Sequence, residues 1–445
     1  MTLKRILIEL RTPILELSKV ESIAMGLEGV GGFAHEKGWM MPLEPAPEVT
    51  AGAGSGNAVI RGLAEEYEID KLKSRPDVVV YGDTVIAPFT EKKVHSEFLQ
   101  LTTGCGPYDC DPGTPKGAWQ DAAKYLKATD VWAEGYKGQN IVVAVADGGI
   151  DKSQFPDKIL DGWSPDPNSP WGVDPDWGNH GCMCAFDALA MAPEAKIYDI
   201  AIGKSGSTTM TGFISDALAG YQWALDHYKK DKTPHIVSGS WGIFQENWDP
   251  DYATNPNHPF TRKVAEMVKA GIIITFSAGN CGENCPDSRC GTDIGPGRSI
   301  WGANGSKPVI TVAAVNINDQ LAGYSSRGPA ALDKKKPDVC GATHFKGYFS
   351  SDTGTSAANP TVAGIAALLK SAKPDLTPEE VKKCLQTTAR NICRPGWDVY
   401  SGYGVVDARA ALDCIRPIDI AKCCDMLSKK LDKLIEMLEE LKEKH

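Results

Sequence analysis

Three short stretches of the chain carry residue types that, brought together, would turn a serine into a nucleophile. In NIVVAVADGGID (residues 140–151), Asp147 follows a β-branched apolar run and precedes two glycines. In NHGCMC (179–184), His180 stands ahead of the helix-compatible AFDALAM, and so at or near a helix start. In DTGTSAANPTVAGIAALL (352–369), Ser356 follows a Gly-Thr turn just ahead of an Ala-rich helix, with Pro360 expected in that helix's first turn. A serine hydroxyl is a poor nucleophile at neutral pH. It needs an imidazole to take its proton, and the imidazole needs a carboxylate to hold its tautomer. Taken singly, these residues have ordinary explanations, because an Asp after a strand or a Ser before a helix is usually a cap.

The elements around them set where such residues could meet. Between residues 101 and 416, short β-branched runs alternate with helical patterns. Strands are expected at Ile141 to Ala146, Lys196 to Ile202, Ile236 to Ser240, Ile272 to Ser277 and Val309 to Val315. Helices are expected at Thr211 to Tyr228, Thr261 to Ala270, Ser356 to Lys370 and Pro378 to Ala389. Such alternation predicts an α/β fold, a parallel sheet with helices on both faces, whose ligand sites lie at the carboxyl ends of the strands. Residues 1–100 read as a small α+β unit: a strand at Leu3 to Leu10, a Gly/Pro-rich stretch at Gly26 to Gly56, then strand, helix, strand, strand from Ala58 to Phe89. In residues 417–445, Ile420, Cys424, Leu427, Leu431, Leu434, Leu438 and Leu441 recur at alternating spacings of four and three, a heptad seam among Lys and Glu. It predicts a helix, as a coiled coil joining copies of the chain or folded back on the main domain.

The three motifs, in the order Asp, His, Ser, resemble the subtilisin family, the S8 subtilases. The resemblance runs over nearly all of residues 120–415 and includes YSSRGP at 324–329, KKPDV at 335–339 and GYGVVDARAAL at 402–412. It implies a subtilisin-like fold and a serine endopeptidase with Asp147, His180 and Ser356 as its triad. Asn280, in TFSAGN, matches the family's side-chain oxyanion donor, and the backbone N–H of Ser356 would be the second. VSGSWG, with Ser240, Trp241 and Gly242, resembles the segment that pairs with substrate as an added strand. Ser277, Ala278 and Gly279 resemble a wall of the primary specificity pocket. Trp241 either narrows a pocket or belongs to the core. RPDVVVYGDTVIAP at 75–88 resembles the family's propeptide, so self-cleavage is expected between Phe89 and Gly106. A silent subtilase fold used as a binding module through its heptads is the competing reading.

Several positions depart from the family. Cys182, Met183 and Cys184 follow His180 where a second histidine is usual, as reactive thiols or as small buried ones. Cys281, Cys285 and Cys290 follow Asn280 with no fourth ligand for zinc in the loop, which leaves a disulfide or idle thiols. Calcium is common in the family and Asp151 falls where one ligand stands. With Asp166, Asp174 and Asp176 it does not make up six to eight oxygens, so calcium is an option and no cofactor is required. A net charge of -10 and a pI near 5.4 argue against nucleic acid or an anionic membrane as partner, leaving protein or peptide. Glu9 and Arg11 interrupt any export signal, no stretch has the length of a membrane span, and thirteen cysteines is an odd number. These features favour the cytoplasm with mostly free thiols over secretion by a non-standard route.

Overall fold

The computed structural model describes residues 3–10, 17–28, 32–44, 57–90, 105–204 and 211–416, together with positions 428 and 431. The heptad segment otherwise lies outside the described residues, as do residues 91–104.

The N-terminal unit is built from β1 (Leu3–Leu10), α1 (Leu17–Glu28), β2 (Ala34–Leu43), β3 (Asn57–Glu65), α2 (Ile69–Lys73) and β4 (Val78–Gly82). Its antiparallel sheet has the order β2-β3-β1-β4. Strand alternation divides β1 between two faces. Ile6, Ile8 and Leu10 join Val20, Ala24 and Leu27 of α1 in the unit's own core, while Leu7 and Glu9 face the rest of the protein. The sequence reading missed α1 and β2. The strand contains Gly38 at φ 83° and a register shift between His35 and Met40, so it shows no two-residue period.

Beyond β4 come β5 (Val85–Pro88), β6 (Tyr108–Asp109), α3 (Trp119–Tyr125), α4 (Ala128–Ala133), β7 (Val142–Asp147), β8 (Ile159–Trp163), α5 (His180–Met191), β9 (Lys196–Ala201), β10 (Gly212–Phe213) and α6 (Ile214–Asp231). There follow β11 (Ile236–Gly239), β12 (Trp241–Gly242), α7 (Pro250–Thr254), α8 (Pro259–Ala270), β13 (Ile273–Ser277), β14 (Ile310–Val315), β15 (Leu321–Ala322), β16 (Val339–Ala342), α9 (Gly354–Ala372), α10 (Pro378–Thr387) and α11 (Ala408–Ile415). Strands β14, β13, β11, β7, β9 and β8 pair in that order, all parallel. The five expected strands therefore lie within a residue or so of their predicted bounds.

Period-two alternation in β7 shows how the sheet is covered. Val142, Ala144 and Ala146 pack under α6 and α8, and Val143 and Val145 under α5 and α9. Asp147, next in phase, emerges at the strand's carboxyl end on the α5 and α9 side. Both faces are apolar because both are covered, which is why the strand reads as an unbroken apolar run.

Three disulfides join Cys110 to Cys285, Cys281 to Cys290 and Cys384 to Cys414, so the expectation of mostly free thiols does not hold for the described residues. Cys105, Cys182, Cys184, Cys340 and Cys393 remain free. Among the described residues, no helix is long and apolar enough to cross a membrane.

Candidate active site

Asp147 and His180 meet because β7 ends where α5 begins. His180 Nδ1 lies 2.8 Å from Asp147 Oδ1, and both side chains are buried. A carboxylate only accepts, so Nδ1 carries the hydrogen and Nε2 keeps its lone pair for use as a base. The backbone N–H of Gly148 donates to the same Asp147 oxygen at 2.8 Å. Cys184, one turn along α5, donates its thiol to Asp147 Oδ2 at 3.6 Å. Burial, and then the charge of Asp147, push the Cys184 thiol well above its ordinary pKa, so it stays a protonated donor. Cys182 is buried as well and is pushed up to about 11, chiefly by burial.

Ser356 lies inside the first turn of α9, not ahead of it. The helix starts at Gly354, which puts Pro360 in its interior, contrary to the expectation from sequence. A proline at that position removes the N–H that would bond the carbonyl four residues earlier, the carbonyl of Ser356. The freed oxygen accepts from Ser240 Oγ at 3.1 Å, with the Cys184 sulfur 3.7 Å away. The Ser356 hydroxyl itself donates to the Ser240 carbonyl at 2.9 Å. Among the described residues, His180 Nε2 is buried without a hydrogen-bond partner. Cys184 Sγ lies 3.9 Å from His180 Nδ1 and 3.7 Å from Ser356 O, which sets the turn of Ser356 beside the Asp147–His180 pair while its hydroxyl rests on the Ser240 carbonyl.

Asn280 is aimed by its neighbours. Its Oδ1 accepts from Thr355 N at 3.0 Å and from Thr355 Oγ1 at 2.9 Å, so Nδ2 must point the other way. There it donates to the carbonyl oxygen of Phe89 at 2.8 Å. Strand β5 leads into the site. It runs antiparallel between β10 and β12, with Ala87 opposite Gly242 and Pro88 opposite Trp241, and Phe89 N donates to Ser240 O at 3.2 Å. Gly354 allows this approach. It sits at φ 80°, and a Cβ there would lie 2.2 Å from the Phe89 oxygen.

The segment expected to bind substrate pairs through its backbone with β5, at Ser240, Trp241 and Gly242. The Trp241 side chain is core: its indole donates to Ala146 O at 2.9 Å and packs among Tyr221, Phe260 and Phe276. Of the expected pocket wall, Gly279 approaches the Phe89 ring, while Ser277 and Ala278 are buried behind it. Phe244 meets Phe89 edge to face at 4.8 Å, and the Cys281–Cys290 disulfide joins the same cluster. Sequence reasoning missed Phe244, Thr355 and Asn304. The Asn304 amide ties Trp241 O to Ser277 O at 2.7 and 3.1 Å and so holds two sides of the site together. The hydroxyl of Thr355, beside the nucleophile in GTS, was the one signal available to find any of them.

The acids considered for calcium do not converge. Asp151 accepts from Ser153 N, Ser153 Oγ and Gln154 Nε2, and among the described residues no cluster of potential metal ligands includes Asp151, Asp166, Asp174 or Asp176. The oxygens of the 169–173 loop are gathered by an ammonium instead: Lys204 Nζ donates to Ser169 Oγ, Pro170 O and Val173 O.

A buried Asp–His pair beside a serine and an aimed amide donor, at the carboxyl edge of a parallel sheet, defines a serine hydrolase site. The family model described as "Subtilase family" matches residues 138–404, and the chain belongs to that family: it is a subtilisin-like serine endopeptidase acting on protein or peptide. It is 30% identical over 290 residues to Serine protease AprX of Bacillus subtilis, covering 56% of this chain and 61% of that protein. Over 295 residues it is 30% identical to Subtilisin DY of Bacillus licheniformis, covering 64% of this chain and 96% of that protein. Among solved structures, fervidolysin from Fervidobacterium pennivorans, a keratinolytic enzyme related to subtilisin, aligns with a TM-score of 0.62. That match has 20% identity and spans 94% of this chain and 62% of the other.

Proposed function

We propose that Asp147, His180, Ser356 and Asn280 hydrolyse peptide bonds through an acyl-enzyme, and that the first bond they cut is the chain's own, between Phe89 and Thr90. Ser356 Oγ turns from the Ser240 carbonyl, gives its proton to His180 Nε2 and attacks the Phe89 carbonyl carbon. The oxyanion is held by Asn280 Nδ2 and the backbone N–H of Ser356. His180 returns the proton to the Thr90 nitrogen as the C–N bond breaks, leaving an ester between Phe89 and Ser356. A water, deprotonated by the same imidazole, then releases Phe89 as a carboxylate. Residues 3–89 act as a propeptide-like unit, docked on the enzyme with its tail in the site.

The observation that carries this reading is the Phe89 carbonyl on the Asn280 amide, at 2.8 Å, at the end of a strand added to β12. The test pairs a fluorophosphonate probe with Ser356→Ala. The variant is expected to stay full length and lose labelling, while the unaltered protein yields a mature chain starting at Thr90. Processing of the variant at that bond, or a mature chain starting elsewhere, overturns the reading. The three disulfides support work in an oxidising compartment over the cytoplasm. Protein isolated from its source should carry them. The heptads of residues 417–445 support self-association, and light scattering with and without those residues checks it.

A further inference from the structure

The loop after Asn280 does more than close a pocket. Arg289 sits in a short 3-10 turn at Ser288–Cys290, inside the ring made by the Cys281–Cys290 disulfide. Its guanidinium is held from two sides. Asp287 accepts from Nε at 3.0 Å and from Nη2 at 2.6 Å, and the guanidinium carbon stands 4.0 Å above the Phe244 ring. Gln245 Nε2 fixes the Arg289 carbonyl at 2.7 Å. The two outer nitrogens then reach the strand in the site: Nη1 donates to Pro88 O at 3.2 Å, and Nη2 to Thr90 O at 3.0 Å. These carbonyls flank the Phe89–Thr90 bond. In an extended chain, alternate carbonyls point the same way, so those of residues 88 and 90 face Arg289 while that of Phe89 faces Asn280.

We infer that Arg289 is a substrate clamp that spans the bond to be cut. It grips one carbonyl on the acyl side and one on the leaving-group side, while Asn280 takes the carbonyl between them. The inference rests on the proposed reading of β5 as a bound substrate. Its consequence is a substrate preference. A polypeptide that continues past the cleaved bond offers both flanking carbonyls, whereas an anilide that ends at that bond offers one. Each grip is a charge-assisted hydrogen bond in a part-buried position, so each lost contact should lower turnover efficiency about tenfold. Phe244 adds to the clamp, because the ring that walls the Phe89 side chain is also the one the guanidinium covers.

The test uses the full chain after self-processing and two substrates sharing the sequence Ile-Ala-Pro-Phe. One is a p-nitroanilide, and the other a fluorescence-quenched peptide continuing with Thr and further residues. Arg289→Met should lower kcat/KM about tenfold on the anilide and about a hundredfold on the extended peptide, so the preference for the longer substrate falls about tenfold. Arg289→Lys, with charge but no fork, should lose most of that preference too. The fluorophosphonate labelling rate of Ser356 should stay within twofold in both variants. Equal losses on the two substrates would overturn the clamp, and if Arg289→Met does not fold, the Arg289→Lys ratio decides alone. Failure of the unaltered enzyme to cleave after Phe in either substrate would instead sink the reading of β5.

Discussion

Replacing Arg61 tests how the N-terminal unit is held on the enzyme. Arg61, on β3, donates from Nη1 to Asp216 Oδ1 at 2.6 Å and to Ser215 Oγ at 2.9 Å, at the start of α6. The side chains of Arg61 and Asp216 are 9% and 3% exposed, so water screens the pair little. Burial, partly offset by Arg61, pushes the Asp216 carboxyl up to about 6. Desolvation therefore outweighs attraction at this carboxylate, and the pair as a whole contributes little net stability. Removing one partner is another matter: Arg61→Met strands a buried charge at a cost of about 3–5 kcal/mol, or roughly two to four powers of ten in affinity. Most of this should appear as faster departure of the N-terminal unit. The assay is the lag between self-cleavage and full activity, which should shorten at least a hundredfold in Arg61→Met and return to near normal in Arg61→Met with Asp216→Leu. A lag unchanged within twofold in the single variant, or a double variant as fast as the single, refutes the reasoning. The pH sign follows from the same carboxyl. Its pKa is raised in the folded protein above the ordinary carboxylate value, so folding takes up a proton there and this carboxyl's contribution to stability is lost as pH rises from about 4 through about 6.

Two further outcomes are expected in a Ser356→Ala background, where self-digestion does not intervene. Asp199 is buried in β9, and burial pushes it to about 7 even though its Oδ2 accepts from Ile150 N and Gly172 N. With a folded pKa above the unfolded one, its contribution is full below about pH 4 and is lost as pH rises to about 7, about 4 kcal/mol in all. Asp199→Asn should therefore flatten the dependence of the urea midpoint on pH between 5 and 7, and an unchanged slope would count against it. Lys204→Met should cost about 2–4 kcal/mol, measured by urea unfolding, because Ser169 Oγ, Pro170 O and Val173 O lose their shared donor. A loss under 1 kcal/mol would mean that water replaces the ammonium freely.

Both the legible and the illegible parts of the fold have physical reasons. The β7 strand could be read from VVAVAD because a sheet covered on both faces needs apolar residues at every position. The family could be read from the motifs around Asp147, His180 and Ser356, because nucleophile chemistry admits few substitutes for those residue types. The disulfides could not: Cys281, Cys285 and Cys290 lie close together in sequence, yet Cys285 pairs with Cys110, 175 residues away. Nor could the pocket, since Phe89, Phe244 and Arg289 come from three separate stretches of chain and meet only after folding. Trp241 shows the same limit in one residue: its backbone lines the site and its side chain fills the core, two roles that a sequence cannot separate.

Where local rules failed outright, they failed next to the reacting bond. Proline was expected in the first turn of α9 because deeper in a helix it costs a hydrogen bond, yet Pro360 sits deeper and the cost falls on Ser356 O. That oxygen is repaid by the Ser240 hydroxyl, while the Ser240 carbonyl holds the Ser356 hydroxyl and the Phe89 N–H. The helix defect thus creates the acceptor that fastens the nucleophile's turn to the strand that binds substrate. Gly354 follows the same logic, since a left-handed residue at a helix start is unfavourable for most side chains and here admits the Phe89 carbonyl. A local rule broken with a compensating bond in place is what a functional site leaves in a sequence. On that ground Ser240 is a positioning residue for Ser356. Ser240→Ala, which frees the Ser356 carbonyl but leaves the main-chain acceptor for substrate, should lower kcat more than it raises KM.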